Sequence, residues 1–140
     1  MAVTADFEAY LADEWYGHPM TVEALLECEA EGGFDMAVVM PQTKVDPDND
    51  ELLNQTADNP KTLPCVLMDP RRGEEGIEAL KRFVERGAKG MKLMGAIHKF
   101  EVDDPMVFPF AETARDLGIV VSIHSGTGNC HATRIGAVAE

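Results

Sequence analysis

The sequence predicts an α/β protein built on a parallel sheet, and three observations carry that prediction. Four short apolar runs alternate with segments of helical periodicity, at a repeat of about 30 residues per unit. Glycine or proline closes nearly every element. Polar residues collect just past the ends of the apolar runs, where parallel α/β folds build their sites.

The first 20 residues follow no clear pattern. Phe7, Tyr10 and Leu11 have helical spacing, and Gly17-His18-Pro19 breaks whatever precedes it. From there the rhythm is regular. Val22, Leu25, Leu26 and Ala30 form one helical face that Gly32-Gly33 ends. Met36 to Met40 reads as a strand buried on both faces, stopped by Pro41. Asp48 with Glu51 opens a helix like a capping box, and Asn59-Pro60 ends it. Leu63 to Met68 is the second strand, Ile77, Leu80, Phe83 and Val84 the next helical face, and Lys89 to Leu93 the third strand. Asp104-Pro105 is expected to open a helix with proline at its first position. Ile119 to Ile123 is the fourth strand, and a last helix begins near Ala132. Alternating strands and helices imply right-handed crossovers. An open doubly wound sheet and part of a (β/α)₈ barrel both satisfy the periodicity.

Composition excludes several classes. Apolar residues make up 45% and charged residues 26%, the profile of a folded domain. A net charge of −13 opposes nucleic acid and anionic membranes as partners. No apolar run is long enough to span a bilayer. Three widely spaced cysteines, Cys28, Cys65 and Cys130, read as reduced, so the expected location is cytoplasmic. Cys65 reads as core packing.

Among the polar residues at strand ends, Gln42 and Asp69 read first as loop and turn residues. Lys92 near the end of the third strand faces either the sheet centre or solvent. His124, which ends the fourth strand, is the sharpest candidate, because a histidine at a strand tip can coordinate a metal or move a proton. The loop Ser125 to Asn129 has the look of a phosphate cradle, but position 131 is His where a dinucleotide fingerprint needs glycine. His18, His98 and His131 form no metal motif, and the stretch from Met94 to Phe100 is long enough to make a lid. No G-x-S-x-G elbow is present.

Several segments together resemble a known family. Met20 to Leu26 followed by Gly33 to Pro41, then Gly87-Ala-Lys-Gly-Met-Lys-Leu93, then Asp103-Asp-Pro105 with Phe110 to Gly118, and finally Ile123-His-Ser-Gly126 are similar to amidohydrolase-related proteins. The branch is the one that includes aminocarboxymuconate-semialdehyde decarboxylase. The resemblance implies a partial (β/α)₈ TIM barrel of about four βα units, strands 2–5 of the parent barrel. It makes residues 1–140 a single domain that lacks the first strand and the C-terminal half. It implies a divalent metal, zinc in the first place, with His124 as a ligand and Lys92 as a catalytic residue beside it. The reaction implied is hydrolysis through a metal-activated water, with decarboxylation on the same site as the alternative. A small α/β ligand-binding domain is the non-enzymatic alternative. The partner expected is a small-molecule substrate, with a homo-oligomer as the expected assembly. The family's first-strand H-x-H is absent from this sequence, so the metal site is expected to be incomplete and the chain alone inactive.

Overall fold

The computed structural model describes residues 2–15 and 17–139. Its centre is a five-stranded parallel sheet in the order β1, β4, β5, β6, β7. These strands are β1 (Ala5–Tyr10), β4 (Met36–Met40), β5 (Thr62–Met68), β6 (Gly90–Leu93) and β7 (Val120–Ile123). A two-stranded antiparallel hairpin, β2 (Ala12–Trp15) and β3 (His18–Met20), follows β1. The helices are α1 (Val22–Gly32), α2 (Asn49–Thr56), α3 (Gly73–Glu85), the short α4 (Gly95–His98), α5 (Phe108–Leu117) and α6 (Ala132–Ala139).

The strand order decides between the two architectures that periodicity left open. In a doubly wound sheet the order reverses at a switch point. Here each new strand is added on the same side of the last, which is how a barrel grows. The sheet is a curled half-barrel.

The helix boundaries follow local chemistry. The Thr21 side chain accepts from Ala24 N at the start of α1, and Gly33 closes it at φ 81°. A left-handed C-cap of this kind favours glycine. Asp48 accepts from Glu51 N and so caps α2. The expected start of α5 shifts: Asp104 Oδ1 accepts from Met106 N and its carbonyl accepts from Val107 N. That turn consumes Pro105, and the helix begins at Phe108 with Pro109 in its first turn.

Four strands were expected, and a fifth is present. β1 lay hidden because Phe7 and Tyr10 repeat at helical spacing and because it is an edge strand, largely exposed, with a register shift between Asp6 and Ala9. It pairs parallel with β4 through Ala5↔Met36 and Tyr10↔Met40. Thr4 pins its start: N and Oγ1 both donate to Asp35 Oδ2 at 2.9 Å.

Alternation along the strands separates two faces. The outer face carries Val39, Val66, Met68, Met91 and Leu93, all buried in the core that the helices cover. Helices α3 and α5 meet closely there. A Cβ added at Gly76 would lie 2.7 Å from Phe110 Cζ, so the glycine is what lets the ring seat. The inner face carries Cys65 beside Gly90, Leu67 beside Lys92 and Lys92 beside Ser122.

Candidate functional site

Lys92 is the residue around which the inner face is organised. It is 2% exposed, and its Nζ donates to Glu8 Oε1 at 2.9 Å. Tyr10 also donates its hydroxyl to Glu8 Oε1. Glu8 and Lys92 stand on β1 and β6, three strand spacings apart in the sheet, or about 14 Å on a flat sheet. Curling brings the two side chains together across the concave face.

His124 directly follows β7. Its backbone N donates to Leu93 O at 2.9 Å, extending the ladder beside Lys92. Two residues past Ser122, it shares that residue's face. Its ring is half-buried and makes no hydrogen bond among the described residues. A Cβ added at Gly126 would lie 3.5 Å from His124 Nε2, an ordinary contact distance, so the backbone of this loop passes close to the ring.

The charges of this cluster respond to one another. Burial raises the Glu8 carboxyl, but hydrogen bonds from Tyr10 and Lys92, with the charges of Lys92 and His124, outweigh it and hold the group below the ordinary glutamate value. Burial and the Glu8 acceptor push the Tyr10 phenol far above its ordinary value, so it stays protonated. Because Glu8 titrates lower in the folded chain, its contribution to stability is complete above the ordinary value of 4.5 and is lost as pH falls through the depressed folded value. Urea unfolding between about pH 3 and pH 6 should therefore show a shallower acid limb for Glu8→Gln than for the wild type. Parallel limbs would contradict the pairing.

Cys65 sits on the same face, and burial first, then Glu8, pushes its thiol up to about 12 against the opposing pull of Lys92. It is packing, as expected. Cys28 is exposed while Cys65 and Cys130 are buried. Iodoacetamide at about pH 8 should label Cys28 alone until denaturant is added, and rapid native labelling of Cys65 would show that this face is open.

The other candidates are structural. Asp69 accepts from Arg71 N at 3.1 Å and pairs with the Arg71 guanidinium at 2.7 Å, so it caps a 3₁₀ turn after β5. Gln42 is half-buried in the loop after β4 and makes no side-chain hydrogen bond to the Lys92 cluster among the described residues. The Met94 to Phe100 stretch is not a lid: His98 is fully buried and bonds Val45 O through Nε2 at 3.1 Å. The loop after β7 is committed to stitching the rim, since Asn129 Nδ2 donates to Gly95 O and Phe100 O at 2.8 and 2.9 Å. His131 Nδ1 accepts from Thr133 N at the start of α6.

Glu8 and Tyr10 were not singled out from the sequence. The signal available was their i, i+2 spacing just before an apolar residue, which fits a strand face, but two acids in the run masked it.

Catalytic zinc normally takes three protein ligands. Among the described residues no group of three or more His, Cys, Asp or Glu is placed to hold a metal ion. Glu8 and His124 are two such groups, and Glu8 Oε1 already has two donors. These residues alone do not make a catalytic metal site. No helix among the described residues is long and apolar enough to cross a membrane.

Comparison with known proteins agrees with the fold. A 5-carboxyvanillate decarboxylase from Novosphingobium aromaticivorans, solved with manganese and 3-methoxy-4-hydroxy-5-nitrobenzoic acid, is 15% identical with a TM-score of 0.68, covering 90% of this chain and 51% of its own. A protein assigned as a 2-pyrone-4,6-dicarboxylic acid hydrolase from Acinetobacter baumannii, with citric acid bound, is 15% identical with a TM-score of 0.67, covering 89% and 50%. A Staphylococcus aureus protein assigned to the amidohydrolases is 16% identical with a TM-score of 0.70, covering 99% and 56%. This chain therefore spans about half the length of the solved structures it matches. No curated protein sequence matches it. The model of the amidohydrolase family matches residues 9–138, nearly the whole chain, and the chain belongs to that family.

Proposed function

We propose that these residues form the strand-one to strand-five half of an amidohydrolase-type site that hydrolyses a small-molecule substrate. The observation that carries this reading is the buried Lys92 ammonium on the inner face, paired with Glu8 and next to the strand-end His124. In a parallel barrel this rim is where reactions occur. β1 takes the place of the barrel's first strand, with Glu8 and Tyr10 where the family carries H-x-H.

Lys92 and His124 are the catalytic residues of the proposal. The Lys92 ammonium is a fixed positive charge in a largely water-excluded position, suited to stabilise an oxyanion as it develops. The same charge favours decarboxylation as the second reading, because it would equally stabilise the carbanion left when carbon dioxide departs. His124 is the proposed metal ligand of the whole site and zinc the proposed metal. The remaining ligands come from outside the donor set described here. A cytoplasmic location belongs to the same reading. So does inactivity of residues 1–140 alone, whose open sheet edges favour self-association.

The test is an assay of the protein with its full barrel complement, following hydrolysis products and carbon dioxide separately. His124→Ala should lower bound zinc and reduce the rate by a factor of about a hundred or more while the fold persists. Full zinc content and full rate in that variant would sink the assignment. Carbon dioxide release without hydrolysis would select the second reading.

A further inference from the structure

The Glu8 arm of the site is already occupied by charge. Oε1 of Glu8 accepts from Lys92 Nζ and from the Tyr10 hydroxyl, which takes both lone pairs of that oxygen. Only 3% of the Lys92 side chain is exposed, so its ammonium cannot be withdrawn into water without opening the sheet face. Glu8 is its one acceptor among the described residues. His124, by contrast, has a ring free of hydrogen bonds among those residues. A divalent cation approaching Glu8 would meet an ammonium held at hydrogen-bond distance and a carboxylate whose charge is already compensated.

We infer that Lys92 is the resident cation of this site: held on Glu8 Oε1, it sets a like charge against divalent metal at the β1 arm and leaves the His124 ring as the unengaged ligand of this cluster among the described residues. The inference rests on the site assignment above and goes beyond it, because it sets metal binding at Glu8 against the Lys92–Glu8 pair. Neutralising position 92 should then create divalent-metal affinity, where loss of a catalytic lysine ordinarily creates none.

Manganese is the probe, since it favours carboxylate oxygen over thiolate and broadens nearby nuclear magnetic resonance signals. It is titrated into the 140-residue chain while the His124 ring signals and the ¹⁵N signal of the buried Lys92 ammonium are followed. In the wild type both signals should persist. In Lys92→Met the His124 signals should broaden at manganese concentrations lower by at least about tenfold, as loss of the opposing charge requires. That gain should vanish in Lys92→Met/Glu8→Gln. Broadening of the wild-type Lys92 signal at the concentration that affects Lys92→Met would overturn the inference, as would a folded Lys92→Met with no gain. Should Lys92→Met not fold, the wild-type titration decides alone: a persistent ammonium signal supports the inference and a broadened one overturns it. Lys92→Met/His124→Ala separates the two readings, with the ring signals of Tyr10, which bonds Glu8, followed in that variant and in Lys92→Met. A gain retained there removes His124 as a ligand while leaving the Lys92–Glu8 inference standing.

Discussion

Phe110→Ala will lower the free energy of unfolding by about 3–5 kcal/mol, the range for deleting a fully buried aromatic ring. Phe110 is 0% exposed and seats on α3 at Gly76, where a ring carbon leaves no room even for a methyl group. Truncation therefore leaves a void bounded by backbone, which collapses poorly. Chemical unfolding of the wild type and the variant at neutral pH measures the difference. A loss below about 1 kcal/mol would mean that α5 does not pack on α3 through this ring.

Gly95→Ala will destabilise by about 2–3 kcal/mol, the scale of overpacking against groups that cannot move aside. A Cβ there would lie 2.5 Å from the Phe100 carbonyl oxygen and 3.2 Å from Cys130 Sγ. The backbone after β6 must shift, and Asn129 holds both carbonyls that flank the clash. The displacement therefore reaches the loop after β7, next to His124. Unfolding measurements should show the loss, and the His124 ring resonances should move. Unchanged stability would contradict this close passage of the two rim loops.

Most of the sheet was legible because parallel strands buried on both faces read as continuous apolar runs. Met36 to Met40 fell on the strand residue for residue, and Asp48 and Gly33 act at the helix ends where their chemistry placed them. The first strand was not legible. An edge strand carries one buried side at most, and here the concave side bears Glu8, which pairs with Lys92, and Tyr10, which bonds Glu8. The same fact hid half of the cluster. Lys92 and His124 announced themselves by ending strands, whereas Glu8 matters only because the sheet curls, and curvature leaves no local mark in sequence. The start of α5 misled for a smaller reason, since Asp104-Pro105 makes a turn as readily as a helix N-terminus.

A double-mutant cycle on Glu8 and Lys92 tests that curvature most directly. Unfolding free energies are measured for the wild type, Glu8→Gln, Lys92→Met and the double variant. A curled half-barrel with Lys92 Nζ 2.9 Å from Glu8 Oε1 predicts a coupling of about 1–3 kcal/mol, as for groups in direct contact. Additive effects within about 0.3–0.5 kcal/mol, as expected for residues well separated across an open flat sheet, would contradict the barrel interior and the site built on it.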